Sequence, residues 1–297
     1  VQRIRFILLI MAWLYPAPAT QAAALFSCAE MGKGVVEPLA FPAGGEPKAY
    51  ALVTHGFNLN PRRLSGLVQF LESLGIQVAT LTLSGHRGSY EEMEQATFDD
   101  WRKDMSCAET WARETRALSS KPVYFIGISL GALAHVEALN RMASTAFTRR
   151  VLIVPALKLR WYTYLLVPLT WLPFNIDIPS AAPKEYRLYS SLPTSAYDAV
   201  FSLLPHVDRF SALNRDLPAL VFAAPDDELV DYEGLRDLIR HEGSASWRFE
   251  TLDNRKSAVN PHYAHNAVDR ASMGDEMWAY FCSRVTEFLA VPPPGKS

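Results

Sequence analysis

At 297 residues, with 49% hydrophobic and 20% charged side chains, the chain is long enough for one decorated α/β domain. It is too apolar for the composition that keeps chains unfolded. A formal net charge of −2 supplies no field to gather polyphosphate, and no run of lysine and arginine forms a basic stripe, which argues against a nucleic-acid partner.

Arg3 and Arg5 precede an apolar run over 6–15, which Pro16 and Pro18 break before small residues at 19–24. A basic start, a short apolar helix and small side chains before a cut site are the pattern of an export signal peptide, expected over 1–24 with cleavage after Ala22 or Ala24. The run is short for a membrane span; an uncleaved anchor is the alternative. Leu25-Phe26-Ser27-Cys28 also resembles the motif at which bacterial lipoproteins are cut and lipidated. The chain is therefore expected outside the cytoplasm, periplasmic or secreted, with anchoring through Cys28 as a variant. Cys107 and Cys282 fall in predicted helices without metal-ligand spacing, so no metal site is expected. Export would permit a disulfide, which the sequence does not assign, and buried free thiols are the plainer alternative.

From Tyr50 onward, short runs of Val, Ile and Leu alternate with longer amphipathic segments. This is the α/β pattern of a mostly parallel sheet with helices on both faces. Strands are expected over 49–54, 76–83, 122–128, 151–154, 219–223 and 247–252. Helices are expected over 61–74, opened by proline and closed by Gly75, and over 98–118, 130–142, 232–241 and 272–289. The alternation stops over 156–215, a proline-rich insertion that carries Trp161, Tyr162, Tyr164, Leu165, Leu166, Leu169, Trp171, Leu172 and Phe174. It is read as a cap on a core made of 25–155 and 216–291, with 292–297 a disordered tail.

A serine hydroxyl is a weak nucleophile and needs a base, a group that orients the base, and donors for the oxyanion formed on attack. Gly127-Ile128-Ser129-Leu130-Gly131 runs from a predicted strand into a predicted helix, the context a nucleophile elbow demands, so Ser129 is the candidate nucleophile. The plainer reading is a glycine-flanked serine in an ordinary loop. His55-Gly56-Phe57 follows the first core strand, and the N–H groups of Phe57 and Leu130 are the candidate oxyanion donors. His55 itself precedes the elbow and is read as a structural histidine. With the order serine, acid, histidine, Asp227 is the candidate acid after the strand at 219–223, and Asp226 the alternative. His265 is preferred as base, with His262 its competitor in the same loop.

His55-Gly56-Phe57, Ser84-Gly85-His86-Arg87-Gly88-Ser89, Phe98-Asp99-Asp100-Trp101 and Gly127-Ile128-Ser129-Leu130-Gly131-Ala132 together resemble the monoglyceride lipase and lysophospholipase branch of the α/β-hydrolase superfamily. The resemblance implies about eight mostly parallel strands, a cap inserted after the sixth, ester hydrolysis and no cofactor. Thr82 and Leu83 stand where that branch often has an acidic residue before the glycine-histidine pair, and Arg87 is an insertion, which weakens any transfer of substrate.

The apolar insertion suits an acyl chain, or else forms the cap's own small core, and 162–174 is a candidate for transient contact with a membrane surface. The expectation is an exported ester hydrolase acting on acyl-glycerol or lysophospholipid-type small molecules. Two rivals share the fold. An aminopeptidase or amidase would need an acid in the cap for the substrate ammonium, for which Glu185 and Asp198 are present; a non-catalytic envelope protein would use the fold for binding alone.

Overall fold

The computed structural model describes residues 26–27, 34–38, 46–253 and 264–290. The expectations placed on 1–24, Cys28, His262 and 292–297 lie outside the described residues.

In chain order the elements are β1 (Phe26–Ser27), β2 (Val35–Pro38), β3 (Ala49–Thr54), α1 (Ser65–Ser73), β4 (Ile76–Thr82), α2 (Tyr90–Gln95), α3 (Phe98–Ser119), β5 (Val123–Ile128), α4 (Leu130–Arg141) and β6 (Arg149–Ile153). They continue as α5 (Val167–Thr170), β7 (Asp177–Pro179), β8 (Ser191–Pro193), α6 (Thr194–Leu203), α7 (Ala212–Asp216), β9 (Ala219–Ala223), α8 (Tyr232–Glu242), β10 (Trp247–Thr251), α9 (Arg270–Met273) and α10 (Asp275–Ala290).

Alternating side chains along buried strands explain the layering. Val123 and Phe125 of β5 face a cluster that includes Trp101, Met105, Leu133 and Leu235 from α3, α4 and α8. Tyr124, Ile126 and Ile128 face Leu67 and Leu71 of α1 and Phe281 and Val285 of α10. Eight strands form the sheet in the order β1-β2-β4-β3-β5-β6-β9-β10. The pairs β1/β2 and β2/β4 are antiparallel, and the remaining neighbours are parallel. The structure is thus the expected mostly parallel α/β sheet, and the loops after β3, β5 and β9 meet at its carboxyl edge, where open α/β sheets build their sites.

Local departures from the sequence expectation have physical causes. β6 starts at Arg149, ahead of the expected 151, because both arginines find acceptors inside the protein. The fully buried Arg150 guanidinium donates to the Asn214 side chain and carbonyl, each at 2.6 Å, and lies over the Trp247 ring. Arg149 donates to the Phe288 carbonyl at 2.8 Å. The helix expected over 272–289 is divided at Gly274, whose φ of +76° ends α9 and allows α10 to start in a new direction. The cysteine states that the sequence leaves open differ: Cys107 is disulfide-bonded, while Cys282 is a free, half-buried thiol whose pKa burial pushes up to about 11.

Between β6 and β9 the chain forms α5, the β7/β8 hairpin, α6 and α7. Ala199, Val200 and Leu203 of α6 join the core cluster beside α4. No described side chain from 161 to 174 is buried, so those aromatics do not make a small core of their own.

Candidate active site

Ser129 sits between β5 and α4 with φ +47° and ψ −107°, a conformation that costs a non-glycine residue on the order of 1–3 kcal/mol. Its surroundings hold it there. The Ser129 N–H donates to the Ile153 carbonyl at 2.9 Å, and its own carbonyl accepts from Leu133 at 3.0 Å. Gly131 is required by proximity: a Cβ at that position would lie 2.4 Å from Thr54 Cγ2 and 2.8 Å from the His55 carbonyl oxygen.

The Ser129 Oγ lies 2.8 Å from His265 Nε2. On the other side of that ring, Nδ1 is 2.8 Å and 3.0 Å from the two Asp227 carboxylate oxygens. The three side chains are 5%, 8% and 1% exposed in the order serine, histidine, aspartate, so water competes little for these bonds. Asp227 is fixed in turn by the N–H groups of Leu229 and Val230, each donating to Oδ1 at 2.8 Å. Burial alone would lower the His265 pKa. The Asp227 charge and hydrogen bond, with the Glu228 charge, outweigh it and hold the imidazole above its ordinary 6.5. Of the two aspartates weighed from sequence, Asp227 meets the histidine, and Asp226 is exposed at the surface.

Phe57 and Leu130 border the same cavity as Ser129 and His265. Leu130 is the first residue of α4, where a helix N–H has no intrahelical acceptor. His55 is a loop fixture: Nδ1 donates to the Gly56 carbonyl at 3.0 Å, and Nε2 accepts from the Leu83 N–H at 3.0 Å. Burial pulls its pKa down to about 4, which leaves it neutral and hydrogen-bonded.

Three supports were not found from sequence. The Glu228 carboxylate accepts the N–H groups of Ala264 and His265 at 2.8 Å and 3.1 Å, and so grips the backbone of the histidine loop. Arg160 donates to the carbonyls of Asp227 and Pro225 at 2.5 Å and 3.1 Å, and the Tyr162 hydroxyl donates to the Glu228 carbonyl. Buried Asp104 accepts from Gly34 N–H, Ser84 N–H and Ser84 hydroxyl at 2.7, 2.7 and 3.0 Å, which joins β2 to the loop after β4. The run Asp226-Asp227-Glu228 signalled carboxylates at the sheet edge, but the division of labour among them depends on backbone amides far along the chain.

The cavity beside Ser129 has a volume of about 320 Å³, near the lower end of the roughly 300–1,000 Å³ typical of small-molecule sites. Leu159, Leu166, Tyr197, Val200, Phe201 and Leu229 are part of its wall, and among the described residues no Asp, Glu, Lys or Arg lines it. Glu185 and Asp198 are exposed and take no part in that wall.

A model of the family described as serine aminopeptidase, S33, matches residues 45–255. No curated protein sequence matches the chain. Among solved structures, one from the metagenome-derived lipolytic enzymes LipS and LipT superposes with a TM-score of 0.67 at 23% identity, covering 85% of this chain and 96% of that one. A soluble variant of monoglyceride lipase from Saccharomyces cerevisiae, in complex with a substrate analogue, gives 0.65 at 14% identity, covering 86% and 90%. Est1E from Butyrivibrio proteoclasticus with bound ferulic acid gives 0.61 at 16%, covering 90% and 98%. At these identities the likeness is one of fold.

Proposed function

The chain belongs to the serine aminopeptidase S33 family of hydrolases, and from that premise we propose that it is a serine hydrolase cleaving carboxylic esters with an apolar acyl group. The observation that carries this reading is the continuous chain of hydrogen bonds from Ser129 through His265 to Asp227, opening on a cavity lined among the described residues mainly by apolar and aromatic side chains. His265 Nε2 takes the hydroxyl proton as Ser129 Oγ attacks the ester carbonyl carbon. The oxyanion that forms is met by the N–H groups of Phe57 and Leu130. Collapse breaks the bond to the alcohol oxygen, which leaves with the proton returned from Nε2, and the acyl group stays on Ser129. Water then repeats the sequence and releases the acid. Asp227 holds the proton on Nδ1 and stabilises the imidazolium in each half.

The family's description makes an aminopeptidase the second reading. A free amino terminus needs a buried or well-placed carboxylate, and among the described residues the cavity wall contains none, which favours esters of uncharged acyl chains such as acyl-glycerols or lysophospholipids. Hydrolysis of amino-acid p-nitroanilides in preference to p-nitrophenyl acyl esters would reverse that choice.

A fluorophosphonate probe tests the core of the proposal. Wild-type protein should label, and Ser129→Ala should not. His265→Ala should lower turnover by several orders of magnitude, whereas His262→Ala should not. Labelling that survives Ser129→Ala would remove the nucleophile assignment.

Export is part of the same reading. A disulfide-bonded Cys107 suits an oxidising compartment rather than the cytosol. Mass measurement of the mature N-terminus distinguishes cleavage after Ala22 or Ala24 from lipidation at Cys28.

A further inference from the structure

Asn58 follows Phe57 in the loop after β3. It is a buried non-glycine residue with a left-handed backbone, φ +57°, at the third position of a turn closed by the Leu59 N–H on the Gly56 carbonyl at 3.1 Å. Turns with a positive φ at that position take glycine or asparagine. Glycine would satisfy the turn, so the asparagine side chain calls for a separate explanation.

Its hydrogen bonds supply one. The Asn58 N–H donates to Nε2 of buried His86 at 3.4 Å, on the core side. Its remaining bonds run to the cap. The Asn58 carbonyl accepts from Leu188 N–H at 2.9 Å, and Oδ1 accepts from Tyr189 N–H at 2.8 Å. Nδ2 donates to the Tyr189 carbonyl and to Ser180 Oγ, both at 3.0 Å. The side-chain amide therefore pairs with both main-chain groups of Tyr189, as a neighbouring strand would. The register continues next door, where Leu59 bridges Arg187 and the Asn60 N–H donates to the Tyr186 carbonyl at 2.8 Å. Phe57 itself packs edge-on against Tyr197 of α6, with ring centres 5.3 Å apart.

We propose that Asn58 is a positioning residue which couples the cap to the oxyanion-stabilising loop, setting the aim of the Phe57 N–H from the seat of cap residues 186–189. The inference rests on the reading of Phe57 as an oxyanion donor. Two different hydrogen-bond systems converge on this one residue, so a cap seated differently on Tyr189 turns the loop that receives the developing charge. Ground-state binding in the apolar cavity does not depend on that aim; stabilisation of the tetrahedral intermediate does.

Asn58→Gly separates the two roles, because glycine keeps the left-handed turn and the main-chain bond to Leu188 but loses the side-chain bonds to Tyr189 and Ser180. With a soluble short-chain p-nitrophenyl ester, Asn58→Gly should lower kcat at least roughly tenfold, in line with the cost of misplacing a catalytic group, while KM changes by less than about twofold. Affinity for a trifluoromethyl ketone, whose adduct with Ser129 places an oxyanion in the same position, should fall by the same factor as kcat. Asn58→Asp keeps the acceptor and loses the Nδ2 donors, and should show the same pattern. If Asn58→Gly retains wild-type kcat and inhibitor affinity, or if its loss lies in KM alone, the turn backbone suffices and the coupling is refuted while the esterase reading stands. A wild type with no esterase activity removes the reading of the site, and this inference with it.

Discussion

Three carboxylates in a row, Asp226, Asp227 and Glu228, occupy three different environments, and His265, the proposed base, feels two of them. Asp227 binds the imidazole edge, whereas Glu228 binds the backbone that carries it, and both charges favour the imidazolium. The base acts only when neutral. A pKa held above 6.5 therefore means that activity is present above that pKa and is lost as pH falls through it. Wild-type kcat/KM should show an acid limb with its midpoint above 6.5. Glu228→Gln removes one of the raising charges, so the midpoint should move to lower pH while the plateau falls modestly through a looser histidine loop. Asp227→Asn should also lower the midpoint, with a loss of about 10⁴ in kcat from the wrong tautomer. An unchanged midpoint in Glu228→Gln would show that its charge does not reach the ring.

The elements that carry these residues were legible in the sequence wherever burial dictated composition. β3 and β9 have the expected bounds, Ala49–Thr54 and Ala219–Ala223, because both strands are almost wholly buried and read as continuous apolar runs. The start of β6 was hidden, since Arg149 and Arg150 look like surface residues until Phe288 and Asn214 are brought to them. The candidate serine, aspartate and histidine were legible because each follows a strand end, but Glu228 and Asn58 act on backbone groups 36 and 131 residues away, a distance no local pattern spans. The elbow was legible for a steric reason that can be tested. Gly131→Ala would drive a Cβ into Thr54 and the His55 carbonyl, both on or beside the central strand β3, which cannot withdraw. Overpacking of this kind costs about 1–3 kcal/mol, and displacement of α4 would shift Leu130 with it. Thermal unfolding should show the loss of stability, and the rate of fluorophosphonate labelling should fall further than stability alone explains. Wild-type labelling in a stable Gly131→Ala protein would mean that the helix can move without harm to the site.

At the scale of the molecule, the cap presents two kinds of surface at one place. Tyr162, Thr163 and Leu166 turn inward to the cavity, while Trp161, Leu165, Trp171 and Phe174 are 75%, 66%, 76% and 62% exposed. No charged residue occurs from Trp161 to Ile176, and among the described residues no helix is long and apolar enough to cross a membrane. An uncharged, tryptophan-bearing patch that continues into the mouth of an apolar cavity fits a lipid surface that delivers its own molecules to the site. Withdrawing large apolar side chains from water contributes roughly 1.5–3 kcal/mol each when complete. The double variant Trp161→Ser/Trp171→Ser should therefore reduce co-sedimentation with phosphatidylcholine vesicles by at least tenfold. Neither tryptophan lines the cavity, so kcat/KM on a soluble short-chain ester should stay within about twofold. Hydrolysis of a long-chain monoacyl ester dispersed in the same vesicles should fall with the bound fraction. Unchanged vesicle binding would rule out the patch as a lipid contact, and a wild type that sediments as a dimer, with the double variant monomeric, would assign it instead to a second copy of the chain.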